Sequence, residues 1–578
     1  MLSFDIHDMK QKILRVSIME VRRSKFTLIA TKFLAAALVL LLSLCIGRAA
    51  NVWDAGGGGN RSINNAANWD NDIVPVFDGT QVITFGVNGT LVNLNVPVNV
   101  SGLILNRNAS MTFTPLSVAN FFSTGSSGIL AQPTSDASVT YDFLRSGSTS
   151  PIQLVSNQVW TVQNQASSTT ILRVDGIGGD YNLTKSGSGI LALTSNASRS
   201  DSSSSMTLDG GVLRLHASSA LNTSASAPLF LNGGELRLFT NTNTAFNGTN
   251  ITVGGDAAIT TSRASGSGAQ PVQSIGTLTI GDYTLTVRDA NVVNSTGDAV
   301  LQTGSVTLTG NAFFNVVNTD NAGVLKLGAV GQSGGAMGFT KTGNGTLELT
   351  ADSSYSGNTT VSAGTLLANA NATSTTVNVQ SGGTLGGNGT VGGVVLETGG
   401  TLAPGNSPGM LSVSGDATWQ GGASYNWQVQ ALNSGASQLS KGINWDFFSV
   451  NGTLNLSGLN TTPLNFNLFN PLNLNFQPGN SWAIAESMQG IRLNGGLLAP
   501  NTDYSSLFNI NSTSAATLQI VTLADYNTLY LISAAVIPEP SQVAASLLLV
   551  SFAAGYWILK KRREARKITA LRQSPPVA

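Results

Sequence analysis

Two stretches of this chain are copies of each other, and their pattern restricts the fold more than any other feature. NLTKSGSGILALTSN begins at Asn182 and FTKTGNGTLELTADS at Phe339. Leu183-Thr184-Lys185-Ser186-Gly187 aligns with Phe339-Thr340-Lys341-Thr342-Gly343, and Gly189-Ile190-Leu191-Ala192-Leu193-Thr194 with Gly345-Thr346-Leu347-Glu348-Leu349-Thr350. Each copy leads into a second alternating stretch, Val212-Leu213-Arg214-Leu215 in one and Gly364-Thr365-Leu366-Leu367 in the other. Apolar residues recur at every second position over four to six residues and stop at Gly, Asn, Ser or Asp. Period two with glycine punctuation specifies short strands joined by tight turns. No helical periodicity replaces it between 51 and 535, so crossover helices are excluded and sandwiches, barrels and solenoids remain. Self-similar units rich in Asn and Thr favour the solenoid, in which like coils stack and like side chains hydrogen-bond along the stack.

Composition is not that of an ordinary cytosolic enzyme. Charged residues make up 10% of the 578 and glycine contributes 64, against ordinary shares of about 25% and about 7%. The formal charge of zero conceals three regions, with eight basic and three acidic residues in 1–50 and seven and one in 541–578. That leaves 14 basic against 25 acidic residues in 51–540, a net charge near −11, which gives no counterion-release drive toward nucleic acid.

Both ends read as addresses. Scattered lysines and arginines precede an apolar run from Phe33 to Ile46, followed by Gly47-Arg48-Ala49-Ala50. Fourteen residues give a helix of about 21 Å, short for a bilayer and suited to a signal peptide cut after Ala49, with Ala50 as the alternative. Cys45, the single cysteine, would leave with it, so a mature chain has no thiol chemistry. At the far end Pro538-Glu539-Pro540 precedes an apolar segment, 541–559, and then Lys560-Lys561-Arg562-Arg563. Nineteen residues reach about 28 Å as a helix, enough to cross a bilayer with the basic cluster on the cytoplasmic side. This order of tripeptide, apolar helix and basic cluster resembles the PEP-CTERM sorting signal, which implies processing by an exosortase. The tail to Ala578 is longer than that resemblance leads one to expect.

The stretch from Gly338 to Ala370 resembles the autotransporter-associated β-strand repeat, and the run from Gly382 to Val413 is similar to the segment that closes such arrays. The opening from Val52 to Pro75, with Trp53-Asp54 and Asn68-Trp69, is similar to the start of many such secreted proteins. The resemblance implies a right-handed parallel β-helix. An autotransporter's terminal β-barrel is replaced here by a single apolar segment, so self-secretion is not implied. The expected layout is a signal peptide over 1–49, a β-helix over 50–410, a β-rich cap or small sandwich over 411–535, a sorting signal with a transmembrane helix over 536–566, and a cytoplasmic tail over 567–578.

Chemistry is sparse. The two histidines are His7, in the leader, and His216, at a strand end. Glycosidases of this architecture need two carboxyl groups across the scissile bond. The candidate pairs, Asp175 with Asp180, Asp70 with Asp72 and Asp201 with Asp209, all fall in turn-rich sequence, where Asx-turns are the commoner use. Gly387 to Gly392 spells GxGxxG without a following helix, and Gly178-Gly179-Asp180 is a lone copy of a calcium-repeat fragment. The reading is an exported, non-enzymatic surface or matrix protein without metal or cofactor, an elongated rod of about 4.8 Å per coil. It would be handled by signal peptidase and exosortase, held transiently at the inner membrane, and able to associate with exopolysaccharide or cell-surface glycans. The alternatives are a secreted glycan-active enzyme and a permanently anchored envelope protein.

Overall fold

In the computed structural model, the described residues are 51–533, less 57–58, 60, 87–89, 198–202, 222–227, 247–248, 290–294, 319–322, 407, 432–439, 479, 513–516 and 525–526. They are strands and turns, with three-residue 3-10 segments such as Ala66–Asn68 and Ser505–Leu507. The chain divides into two compact units, one of 1–240 with 245–252 and the other of 241–244 with 253–578.

In the first unit the strands pair in parallel from coil to coil in two sheets. One sheet runs through Gln158–Val162, Leu183–Ser186, Met206–Leu208 and Pro228–Leu231. The other runs through Val139–Phe143, Thr170–Val174, Ile190–Leu193, Val212–Leu215 and Glu235–Phe239. Like residues stack: Leu191 lies on Leu213 and Leu213 on Leu236, and all three are completely buried. The N-terminal coils have an aromatic interior, with Phe113 stacked on Phe143 at 4.2 Å and edge-on to Phe85 at 4.9 Å. Trp53 and Trp69 close this stack at 5.3 Å, and Trp69 Nε1 donates to the Ile63 carbonyl at 2.7 Å. Those tryptophans account for the two Trp-containing pairs of the opening sequence.

The second unit begins with three strands per coil, as in Val272–Ile275, Leu278–Ile280 and Thr284–Asp289, has two per coil from Phe339–Thr342 to Thr401–Pro404, and returns to three with Met410–Val413, Ala417–Gln420 and Ser424–Gln428. Register follows the change: Val272 pairs Val300, which pairs Val324, then Thr346, Thr365 and Thr384 in turn, so a coil shrinks from 28 residues to 19. This path forms an outward column of Thr346, Thr365, Thr384, Thr401 and Ser424. Beyond it, side-chain amides form ladders: Asn467 Nδ2 donates to Asn426 Oδ1 at 2.8 Å, and Asn511 Nδ2 to Asn467 Oδ1 at 2.8 Å. Parallel pairing continues to Phe508–Asn511, after which Thr528–Ser533 pairs antiparallel with Ser481–Ser487 on one side and with Leu518–Val521 on the other. An antiparallel return covers an end that parallel stacking would leave open.

The fold is an all-β solenoid, and one part of the expected fold class is corrected. No helix among the described residues is long and apolar enough to cross a membrane, because each turn of the chain is spent on strands of two to ten residues. The expected transmembrane helix at 541–559 and the N-terminal signal helix lie outside the described residues, so neither belongs to the architecture established here.

Candidate functional site

Two features stand out from the stacked strands. The first is internal to the duplicated segment. In Leu183–Ser186 the residues facing inward are Leu183 and Lys185, and in Phe339–Thr342 they are Phe339 and Lys341; both lysines are completely buried. Lys185 Nζ donates to the carbonyls of Ser186 at 2.8 Å, Gly187 at 2.9 Å and, on the next coil, Gly210 at 3.0 Å. Lys341 Nζ repeats the arrangement on Thr342 at 2.8 Å, Gly343 at 2.9 Å and Ala363 at 3.1 Å. Three acceptors match the three donors of an ammonium group. The turns that supply them need glycine. Gly187 and Gly343 have φ of 76° and 72°, and a Cβ on Gly211, with φ of 66°, would stand 2.9 Å from Lys185 Nζ. Burial pushes Lys185 down to about 7 and Lys341 to about 8.

The second feature is an outward trough of about 480 Å3 in the second unit. Gly386 and Ala403, which pair in register on neighbouring coils, are among its lining. Small residues there leave a gap between longer neighbours. Thr365 and Thr384 line one side, while Asn406, Asn426, Gln428 and Asp446 bring amides and a carboxyl to the others. Phe469, 53% exposed, stands at the rim. Asp446 is 5% exposed; its Oδ1 accepts the Gly409 N–H at 2.9 Å and its Oδ2 the Gln428 N–H at 2.8 Å. Burial pushes its carboxyl up to about 7, against those two hydrogen bonds, which favour the carboxylate. The carboxyl therefore changes protonation near neutrality. It is the single ionisable group among the described residues of the lining, so the trough offers hydrogen bonding and one titratable acid, without the second carboxyl that glycosidic cleavage requires.

The sequence-based candidates lie elsewhere. Asp175 accepts from Thr194 Oγ1 and from the Arg145 N–H, and Asp180, in the turn after Ile177–Gly178, is also partnered. Asp209 accepts Asn232 Nδ2 at 2.9 Å, Asp70 and Asp72 lie in an exposed 3-10 turn, and Asp201 is outside the described residues. Gly387 has φ of 105° in the turn between Gly383–Gly387 and Thr390–Leu396, the place of a turn residue. His216 packs edge-on against Phe239 with centroids 6.1 Å apart, and burial, Arg214 and Arg173 together hold its pKa down. Among the described residues no group of three His, Cys, Asp or Glu could hold a metal ion. Ala49, Ala50, Pro538, Glu539, Pro540, Lys560, Lys561, Arg562 and Arg563 all lie outside the described residues.

Sequence reasoning passed over Lys185, Lys341 and Asp446. A signal for the lysines was present, since each sits on the apolar parity of its strand. Asp446, between Trp445 and Phe447-Phe448, is an acid within an aromatic run.

The Passenger-associated-transport-repeat family matches this chain at 183–215 and 339–368, the segments that hold the two lysine cages. A short repeat linked to autotransporter passenger domains is therefore present. The chain is also similar to an extracellular serine protease of Serratia marcescens, 42% identical over 95 residues, which is 16% of this chain and 9% of that protein's length.

These findings correct four expectations. The exclusion of enzymatic activity does not stand, because the likeness to a protease is positive support that scarcity of histidine cannot cancel. Signal peptidase, exosortase, exopolysaccharide and cell-surface glycans are withdrawn as partners. The family match covers the repeat and gives no support to a PEP-CTERM signal, and the residues such processing would read lie outside the described ones. Membrane association through a C-terminal helix, and with it transient inner-membrane anchoring, is withdrawn, since no described helix is of membrane-crossing length and apolarity.

Proposed function

We propose that this chain is an exported, surface-presented β-solenoid of the passenger type, with a scaffolding or adhesive role that its outward columns carry. The observation that supports this most directly is that both matched repeat segments form the same strand pair around the same buried lysine. The low charge density and the hydroxyl and amide columns fit a surface that works outside the cell. The test is fractionation of the producing cell with protease accessibility on intact cells, followed by mass spectrometry of the exported chain. Export should make the chain accessible to added protease on intact cells, and mass spectrometry should recover its repeat peptides, 183–215 and 339–368, from that fraction. Retention of the whole chain in the cytosol would overturn the reading.

The likeness to a secreted protease motivates a second reading, extracellular proteolysis. Hydrolysis of casein by the purified chain, blocked by a serine-directed inhibitor, would establish it. If His216 served as the base, His216→Ala would abolish that hydrolysis.

A further inference from the structure

On the outer face of the second sheet of the first unit, side chains from successive coils fall into columns. One column runs Asp142, Arg173, Ala192, Arg214, Arg237. Two of its three arginines have a carboxylate of their own: Arg173 Nη2 donates to Asp142, and Arg237 Nη2 lies 2.8 Å from Glu235. Among the described residues Arg214 has no such partner. Its Nε is buried without a hydrogen bond, as is that of Arg237, and its column neighbour on one side is the methyl group of Ala192. Its guanidinium carbon sits 5.2 Å from the centre of the Phe239 ring, which fixes the fork by a cation–π contact. His216 stands on the same ring. The charged groups facing this spot are Asp142, Arg173 and Asp175 from earlier coils and Glu235 and Arg237 from the next.

We propose that Arg214, with Arg237 and His216 beside it, binds an oxyanion, either a tetrahedral sulfate or phosphate group or a carboxylate. A guanidinium presents five donors in a planar fork that suits such groups, and adjacent strands put the two arginines about 4.8 Å apart. Three arginines face three carboxylates here, and because Glu235 is ion-paired to Arg237, Arg214 feels it only at longer range and keeps its fork free of a carboxylate among the described residues. Burial and then Arg237 lower the Arg214 pKa while Glu235 raises it, and after burial Arg214 is the largest charge contribution holding His216 down.

His216 is itself the reporter. In the full chain with His7→Gln it is the remaining histidine, and its ring-proton shifts can be followed by NMR against pH at constant ionic strength in sodium chloride. Replacing part of the chloride with sodium sulfate should raise the His216 midpoint saturably, and sodium acetate in a parallel series tells a carboxylate site from a tetrahedral one. Arg214→Met should raise the midpoint without added anion and abolish the response. Arg214→Lys, which keeps charge and bulk but loses the fork, should weaken anion binding several-fold and guards against a folding defect in the methionine variant. A midpoint unmoved by either anion in the parent chain, or a response that survives in Arg214→Met, overturns the proposal.

Discussion

A lysine on the apolar side of a strand reads as a misfit until its acceptors are counted. Lys185 and Lys341 are tolerated inside because each ammonium meets three carbonyls, two in its own turn and one on the following coil. Lys341→Met would bury a side chain of similar length and strand those carbonyls, and should cost about 1–3 kcal/mol in urea unfolding. The native state holds both lysines at about 7 and about 8, below the ordinary lysine value of 10.5, so between those limits the unfolded chain binds more protons. Stability from these groups should therefore rise as pH is raised from about 7 to about 10.5, with the unfolding midpoint moving to higher urea, and Lys341→Met should flatten that rise. Asp446 acts in the opposite sense. Its folded pKa is raised from 3.8 to about 7, so it stabilises the native state below about 4 and loses that contribution as pH climbs to about 7. Asp446→Asn should remove this slope in the same measurement. The Lys-x-Gly spacing was legible in the sequence, but the cage was not, because its third carbonyl lies 25 residues away in one copy and 22 in the other.

At the scale of strands and turns, period-two alternation identified the β elements because inward residues must be apolar while outward ones face water. It could not show that coils shrink or that Gly386 and Ala403 share a column, since both depend on register between distant segments. The trough was hidden for that reason. Glycine turns were legible, and their cost is unequal. Gly364 has φ of 65° and a Cβ there would lie 2.5 Å from the carbonyl oxygens of Gly343 and Gly345. Gly364→Ala should therefore destabilise the chain by about 1–3 kcal/mol. Gly335 has open space around its Cβ position. Gly335→Ala should change stability by less than about 0.5 kcal/mol, which thermal unfolding of the two variants would check.

For the molecule as a whole, the antiparallel strands Leu518–Val521 and Thr528–Ser533 are where stacking stops. A chain ending after 507 would expose the edge of Ser481–Ser487 together with Trp482, which is fully buried. It should associate in light scattering at concentrations where the full chain does not. The resemblance to secreted repeat proteins was legible from the two copied segments, and the solenoid followed from it. The segments at 541–559 and 1–49 were legible only as hydropathy, which says how long an apolar run is and nothing of what it packs against.

The lysine cage limits how such a chain can change in length. Since the ammonium borrows its last acceptor from the neighbouring winding, the smallest self-sufficient addition is a pair of windings. A tandem duplication of 339–376, two full windings, would bring its own lock, whereas a duplication of 339–350 alone would leave a charge facing whatever carbonyl happened to come next.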